Sequence, residues 1–358
     1  MTRWLGAALV LGWLAAAALA PYLAPHDPAE AFRSHLSAPP MRPRVVGTGG
    51  RWRRPFVYPL RLVSRLEQRY EEDRARPVPL QWFTRGRLVG AADESAGPWL
   101  PLGADSVGRD IFSRLLHGAR ASLGVALLAT LGALLAGTLV GAIAGLAGRL
   151  LDETLMRLVE LILVLPSIYL LLALRAVLPL VLSPWRVFLI MTGILALAGW
   201  PLVARGVRAI VRAESQREYA LAAISLGAGR TRLLWRHLIP AARPFLAAQA
   251  MVLVPAFVLA EATLSFVGFG FPAETASWGT MLQEAANVAV LSQFPWCLSP
   301  AIAIVTVAFG VNLLLEAPLR GTGAWLAPPA ASQVAAPFGA RLARGDAGGA
   351  FDKRQPPR

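Results

Sequence analysis

The sequence predicts an all-α integral membrane protein with six transmembrane helices and one exposed helical loop, and three observations lead to this fold class. Hydrophobic residues make up 56% of the 358-residue chain, and the mean hydropathy of +0.52 is higher than soluble domains usually reach. No charged residue occurs from Ser122 to Gly148, a stretch long enough to cross a bilayer as a helix. Arginines concentrate instead in a short connection, residues 205–243, which is typical of a cytoplasmic loop.

The first apolar run, Trp4 to Ala24, predicts the first transmembrane helix within residues 1–24. Arg3 precedes this run and is expected to stay on the inner side. Ala18-Leu19-Ala20 resembles the cleavage site of a secretory signal peptide, but Pro21 follows at once and argues against cleavage. We therefore expect an uncleaved helix with a cytoplasmic amino terminus.

Residues 25–110 differ in composition from the rest of the chain, because they are rich in arginine, acidic residues and proline. Their apolar patches are short, as in Pro55 to Leu60. We expect a water-exposed periplasmic insert. Its net positive charge does not contradict this location, because the rule that places positive loops inside loses force for segments longer than about 60 residues.

A five-helix core is expected over residues 111–320, and its first helix carries Gly137, Gly141 and Gly145 on a single stripe. Such a stripe allows a second helix to approach closely. A surface that lines a substrate path is the less favoured interpretation, because this glycine spacing is a general packing pattern.

The other spans of this core are predicted at residues 154–174, 187–204, 245–267 and 300–315. Pro166 and Pro201 fall inside two of them and predict kinks rather than breaks. The connection 268–299 has no lysine or arginine and is expected outside. Residues 321–358, rich in Pro, Ala and Gly, are expected to be a disordered cytoplasmic tail, so that both termini lie inside.

The basic loop contains the pattern of two short helices separated by a glycine. Ser215 and Glu218 have the spacing of a capping box, and Gly227 would end the helix that they begin. A second helix is predicted from Thr231 to Leu238, before Pro240. Several apolar side chains of this unit are expected to be exposed and need something to pack against, namely Tyr219, Leu226, Leu233, Leu234 and Trp235.

The segment Glu218 to Ala228, followed by Arg236 to Pro240, resembles the EAA loop of permease subunits of binding-protein-dependent ABC importers, in the branch for peptides and nickel. Leu102 to Arg120 resembles the segment before the second span of these permeases, and Glu261 to Leu282 is similar to their fifth span and outer loop. The three blocks follow the order of the family, and the resemblance extends over about residues 102–320.

The resemblance implies that the loop is a cytoplasmic coupling loop of the EAA type, seated in a groove of a separate ATPase. Ala222 and Ala223 would allow a close approach, and Gly227 would permit the turn. Glu218 could pair with an arginine across the interface or only cap its own helix, and the two roles are compatible. The residues implied in coupling are Glu218, Tyr219, Ala222, Ala223, Gly227, Arg232, Arg236 and Pro240.

Two further carboxylates are candidates for a gate or for a structural role. Glu160 falls in the third predicted span, where a charge is costly, and an ion pair with Arg157 is the plainer interpretation. Glu261 is expected near the outer end of the fifth span, where it either orients an outer gate or is an ordinary interfacial residue.

The sequence argues against an enzyme. The single lysine, Lys353, is followed by Arg354, so the chain has no phosphate-binding P-loop. Cys297 is the only cysteine, and the four histidines have no metal-ligand spacing. We expect no catalytic residue, metal or cofactor on this chain, with ATP and Mg on a partner ATPase, and no binding of nucleic acid, because the basic residues flank apolar spans.

The resemblance implies a multi-pass permease of the bacterial inner (plasma) membrane that works by alternating access. Its partners would be a second homologous permease, two ATP-binding cassette subunits, a periplasmic substrate-binding protein and membrane lipid. Oligopeptides or dipeptides are the expected cargo, with nickel or another small solute as the alternative. A secondary transporter would not need the exposed loop, and an intramembrane enzyme would need a cluster of reactive groups that the predicted spans lack.

Overall fold

The computed structural model describes residues 2–46, 52–65, 68–84, 86–91, 97–164, 182–286 and 288–321. Side chains are described at these positions except 288–290 and 316–321. Residues 1–315 form one compact unit. The predicted tail beyond Gly321, and the second half of the third predicted span with Pro166, lie outside the described residues.

The helices account for most of the described chain. Their bounds are α1 Thr2–Ala18, α2 Ala20–Leu23, α3 Ile111–Leu146, α4 Arg149–Val164, α5 Pro184–Ser215, α6 Glu218–Ser225, α7 Arg230–Leu233, a π-helical turn Leu234–Leu238, α8 Ile239–Ala241, α9 Arg243–Phe266, α10 Trp278–Ala285, α11 Val288–Gln293, a 3-10 turn Pro295–Leu298 and α12 Ser299–Gly321.

Four helical stretches of the described chain are long and apolar enough to cross a membrane: Ile111–Leu146, Pro184–Ser215, Arg243–Phe266 and Pro295–Leu315. They correspond to the second, fourth, fifth and sixth predicted spans. The helix α1 is apolar but has only 17 residues. The helix α4 begins before the third predicted span and carries charged residues in its first turns. The count of six spans stays a prediction.

The all-α fold class is wrong for the insert, whose described residues form six strands: β1 Arg44–Val46, β2 Trp52–Val57, β3 Leu60–Ser64, β4 Arg69–Glu72, β5 Val78–Thr84 and β6 Arg87–Ala91. Four form an antiparallel sheet in the order β1-β2-β5-β6, with Phe56 opposite Pro79 and Trp82 opposite Val89, and β3 pairs with β4. In β5, Val78 and Leu80 are buried while the residue between them is exposed. Alternation of buried and exposed residues is typical of a half-buried strand, which can form even in a segment of low mean hydropathy.

The glycine stripe of α3 packs against α5, which confirms the predicted close approach of two helices. A methyl group on Gly137 would lie 2.5 Å from Cβ of Val203, and one on Gly145 would lie 2.8 Å from Cγ1 of Val211. Such separations leave no room for a side chain. The helix α5 also continues through Pro201, as predicted for that proline.

The first helix packs against the last one. A methyl group on Gly6 would lie 2.7 Å from the carbonyl oxygen of Gly310, and Nε1 of Trp13 donates a 2.9 Å hydrogen bond to Oγ1 of Thr306. The ring of Trp13 also meets Trp278 edge to face, with 5.3 Å between the ring centroids. Through these contacts α1 is part of the helical bundle.

Candidate functional site

The exposed helix α6 lies between two helices long enough to span a membrane, α5 and α9. It begins at Glu218 after Arg217, and Ser215 is the last residue of α5. The hydroxyl of Ser215 donates to the carbonyl oxygen of Arg212 at 2.8 Å, so it does not cap α6 as predicted. The chain therefore leaves α5 and enters α6 through a tight two-residue connection.

The end of α6 is a Schellman motif, which explains the glycine at position 227. Gly227 has φ of +85°, and its N–H donates to the carbonyl oxygen of Ile224 at 2.9 Å. The N–H of Ala228 donates to the carbonyl oxygen of Ala223 at 3.0 Å. Because a residue with a side chain is strained at this φ, the predicted glycine stop is confirmed with its geometry.

Only one side of the loop faces the protein. Ala220 of α6 is buried, as are Leu233 and Leu238 in the following helical turns, so the prediction that Leu233 is exposed was wrong. Large apolar groups elsewhere on the loop are in solvent, with Leu226 89% and Trp235 67% exposed. We call the exposed apolar groups of α6, its C-cap Leu226 and the π-helical turn, which also include Tyr219, Leu221 and Ile224, the docking face.

The predicted coupling residues lie on or beside the docking face. Glu218, Ala222, Gly227, Arg232 and Arg236 are exposed, and Ala223 and Pro240 are half-buried. Within the described residues Glu218 has no ion pair or hydrogen bond through its side chain, so its carboxylate is available to a partner. The helix also continues past Pro240 to Ala241, beyond the predicted end at Leu238.

Tyr219 is held in place by groups on both sides of it. Its hydroxyl donates a 2.8 Å hydrogen bond to Oε2 of Glu214, and Nε of Arg217 lies 3.0 Å from Oε1 of the same carboxylate. Desolvation and the Glu214 contact raise the pKa of the Tyr219 hydroxyl above its usual value. The ring lies 6.0 Å from that of His237 and thereby links α6 to the π-helical turn.

A carboxylate at the start of α4 binds the end of α5 that leads into this loop. Asp152 is buried and accepts hydrogen bonds from Nε and Nη2 of Arg208, while Nη1 of Arg212 donates to it at 3.2 Å. Asp152 was not identified from the sequence. Asp152 is the first acidic residue after the uncharged run 122–148, and this was the signal that could have found it.

The two candidate gate residues have different surroundings. Glu160 and Arg157 are both exposed on α4, and within the described residues no ion pair joins them, so the predicted pair is wrong. Glu261 is fully buried in α9. Its Oε1 accepts a 2.8 Å hydrogen bond from the hydroxyl of Ser265, while Oε2 has no partner in the described chain. Glu261 is thus an internal residue and not an interfacial one.

Four charged side chains form a buried cluster between the insert and the helical bundle, and this cluster was not identified from the sequence. Nε of Arg109 donates to Oδ2 of Asp105 at 2.7 Å, and its Nη2 binds Oε1 of Glu284. Arg114, with no exposed surface, lies 3.7 Å from each of the same two carboxylates. The connection 268–299 has acidic residues but no basic ones, which was the signal that its acids have partners elsewhere.

The cluster perturbs the carboxyl group of Glu284. Burial raises its pKa from 4.5 to about 7, and the neighbouring Asp105 carboxylate adds to the rise, while Arg114 and Arg109 oppose it. Two acids and two guanidiniums therefore share a single buried site, in which desolvation has the largest effect on Glu284.

The helix α10 is inserted in the bundle. Trp278 has no exposed surface; its N–H donates to Oγ of Ser122 and its Nε1 donates to the carbonyl oxygen of Leu115, both at 3.1 Å. A methyl group on Gly118 would lie 3.2 Å from Cδ1 of the same ring. In the described residues no group of three or more His, Cys, Asp and Glu side chains could hold a metal ion.

Comparisons with known proteins agree with this architecture. The family described as binding-protein-dependent transport system inner membrane component matches residues 137–319. A Brucella ovis protein named as a peptide permease is 39% identical over 225 residues, covering 62% of this chain and 72% of the relative. The oligopeptide transport system permease protein OppC of Bacillus subtilis is 37% identical over 213 residues, 59% of this chain and 67% of the relative. The di/tripeptide transport system permease protein DppC of Pseudomonas aeruginosa is 29% identical over 299 residues, which cover 83% of this chain and 80% of the relative.

Proposed function

The chain belongs to the family of binding-protein-dependent transport system inner membrane components, and we propose that it forms half of a peptide path in an ATP-driven importer. Oligopeptides or dipeptides pass from a periplasmic binding protein to the cytoplasm by alternating access. The names of the relatives, which refer to peptides, oligopeptides and di/tripeptides, support this cargo.

The observation that carries the proposal is the docking face. A short helix outside the apolar spans is anchored by the buried Ala220, while Tyr219, Leu226 and other large apolar groups of the same loop remain in solvent. Several large apolar groups exposed on one short loop are typical of a protein interaction site. The partner is an ATP-binding cassette subunit, which holds ATP and Mg and transmits its closure through α6 to α5 and α9.

The topology we propose has six spans in the bacterial inner membrane, with both termini and the coupling loop 205–243 in the cytoplasm. The excess of arginine in this loop supports that side for it, and the absence of basic residues from 268–299 supports the opposite side for that connection. The insert would then lie in the periplasm. Its contact with the outer connection through Arg109 and Glu284 agrees with a shared side.

The complete transporter would contain this chain, a second homologous permease, two ATP-binding cassette subunits and a periplasmic binding protein. This chain supplies only part of an enclosed path, and the second permease completes it. Glu160, exposed on α4, and Glu261, buried in α9, are then a candidate path residue and a candidate structural residue of the moving bundle.

The test uses tagged chains coexpressed with the neighbouring transport subunits. Leu226→Asp places a charge at the most exposed position of the docking face and leaves the buried side of α6 unchanged. We expect the wild type to retain the ATPase subunits and to take up labelled dipeptide with ATP, while Leu226→Asp and Gly227→Asp lose bound ATPase and uptake. Trp52→Asp, at an apolar position of the insert that is 81% exposed, is the matched control and should behave as the wild type.

Uptake of labelled Ni²⁺ in place of dipeptide would overturn the cargo and keep the permease. Uptake by the wild type with no ATPase subunit bound would contradict the proposed coupling altogether. Equal ATPase retention by the wild type and Leu226→Asp would mean that the docking face does not hold the ATPase.

A further inference from the structure

A cavity of about 650 Å³ opens where the beginnings of α3 and α5 meet the segment 271–276. All three segments are on the periplasmic side in the proposed topology. The volume is within the usual range of small-molecule sites. Its lining includes charged and aromatic side chains, among them His117, Arg120, Trp185, Phe188, Phe271 and Glu274.

One wall of the cavity is aromatic. The rings of Trp185 and Phe188 are stacked, with 5.4 Å between their centroids and 7° between their planes. Phe271, which is largely buried, also lines the cavity. Exposed, stacked aromatic rings offer an apolar surface of fixed shape, which suits side chains of varied size because it does not require matched hydrogen bonds.

The same cavity contains one free cation and one free anion. Arg120 and Glu274 are both exposed, and in the described chain neither forms an ion pair or a side-chain hydrogen bond. Arg109 and Arg114, close to Arg120 in the sequence, are neutralised by Asp105 and Glu284. Arg120 and Glu274 therefore face the cavity as a separated pair of opposite charge.

We propose that this cavity binds the two charged ends of a short peptide on its way into the transporter, an assignment that rests on the proposed function. The guanidinium of Arg120 donates to the terminal carboxylate, because its planar fork matches a carboxylate. The carboxylate of Glu274 accepts from the terminal ammonium group. Side chains of the peptide lie against Trp185 and Phe188, whose apolar rings can contact peptide side chains of many kinds.

The test compares initial uptake rates of three forms of one labelled dipeptide in the reconstituted complete transporter: free termini, amidated carboxyl terminus and acetylated amino terminus. Arg120→Gln should lower the ratio of free to amidated uptake about tenfold, the effect of losing one charged hydrogen bond, and should leave the ratio of free to acetylated uptake unchanged. Glu274→Gln should do the reverse. The binding protein is the same throughout, so its own selectivity cancels in the comparison.

Two controls accompany these variants. Arg186→Gln removes an exposed arginine that is adjacent in sequence to Trp185 but does not line the cavity, and it should leave both ratios unchanged. Arg120→Lys keeps the charge without the planar fork and should recover part of the discrimination that Arg120→Gln loses.

The outcomes distinguish a failure of the proposed cavity from a failure of the proposed function. No peptide uptake by the wild type would refute the proposed function itself. Uptake with both ratios unchanged in Arg120→Gln and Glu274→Gln would overturn only the cavity. A phospholipid headgroup can also be zwitterionic, so the rates are measured in phosphatidylglycerol, which has no ammonium group, with and without phosphatidylethanolamine. An effect of the variants that varies with the lipid and is equal for all three peptides would likewise overturn the peptide site.

Discussion

Two nitrogens of the Arg208 guanidinium donate hydrogen bonds to the carboxylate of Asp152, and this contact joins the start of α4 to the last turns of α5. Arg212, one turn further along α5, donates to the same carboxylate. These turns lead directly to Ser215 and into α6. A displacement of α6 by a partner is therefore transmitted to α4 as well as to α5.

Replacing Asp152 by Asn should lower the free energy of unfolding by roughly 1–2 kcal/mol, because the Arg208 guanidinium loses its counter-charge at a partly buried site. Thermal unfolding of the purified transporter measures this loss. Glu153→Gln removes the exposed pair of Glu153 with Arg149 one residue away and should change the stability by less than about 0.5 kcal/mol. Equal destabilisation by the two variants would show that the ion pair of Asp152 with Arg208 contributes no more to stability than the exposed pair of Glu153 with Arg149.

The turn after α6 should tolerate asparagine better than alanine. Gly227→Ala places a side chain at φ of +85° and should destabilise the turn by about 1 kcal/mol, whereas Asn adopts this conformation more readily. We expect ATP-driven uptake to fall more for Gly227→Ala than for Gly227→Asn. Gly229→Ala, where φ is −65°, is the control and should keep wild-type uptake. A loss of uptake that is the same for Ala and Asn would indicate that the backbone conformation is not what matters.

A methyl group between α3 and α5 should separate these helices. Cβ of Gly141→Ala would meet the carbonyl oxygen of Ala204, so we expect a lower melting temperature and a smaller yield of assembled transporter. In Gly193→Ala nothing lies within 4 Å of the new methyl group, and the higher helix propensity of alanine should leave stability unchanged or raise it by up to about 1 kcal/mol. Similar melting temperatures for the two variants would contradict the close contact.

The stability contributed by Glu284 should depend on pH. A carboxyl group whose pKa is higher in the folded state than in the unfolded state favours folding at low pH, and this contribution disappears as the pH rises from about 4.5 to about 7. Glu284→Gln keeps an uncharged side chain at every pH. Its melting temperature relative to wild type should therefore increase over this interval. If the melting temperature of the wild type rose relative to that of Glu284→Gln as the pH increases, the attraction of Arg109 and Arg114 for the Glu284 carboxylate would outweigh its desolvation.

The membrane-spanning elements could be predicted from the sequence because their signal is local. An uncharged run such as Ser122 to Gly148 specifies a helix without reference to the rest of the fold. The glycine at position 227 was predictable for a similar reason, since a glycine that comes after a helical pattern marks its end. Position 227 has the positive φ that this pattern requires.

The insert and the buried charges could not be predicted in this way. The strands β2 and β5 are partners across 20 or more residues, and short apolar patches such as Pro55 to Leu60 do not specify which segment they pair with. Arg109 and Glu284 are 175 residues apart in sequence, so their contact depends on the assembled bundle. The wrong prediction of a cap at Ser215 has a different cause, because α5 continues further than the composition indicated.

The cluster of Asp105, Arg109, Arg114 and Glu284 also limits how the molecule can move. It ties the end of the insert, the first turn of α3 and α10 into one block, and separating any two of them would leave a charge unpaired in a dry environment. The glycine contacts fix α3 to α5 in the same manner. In the proposed transporter, opening and closing of the path would then be a rotation of this whole block against the second permease, with the pivot where the two subunits meet.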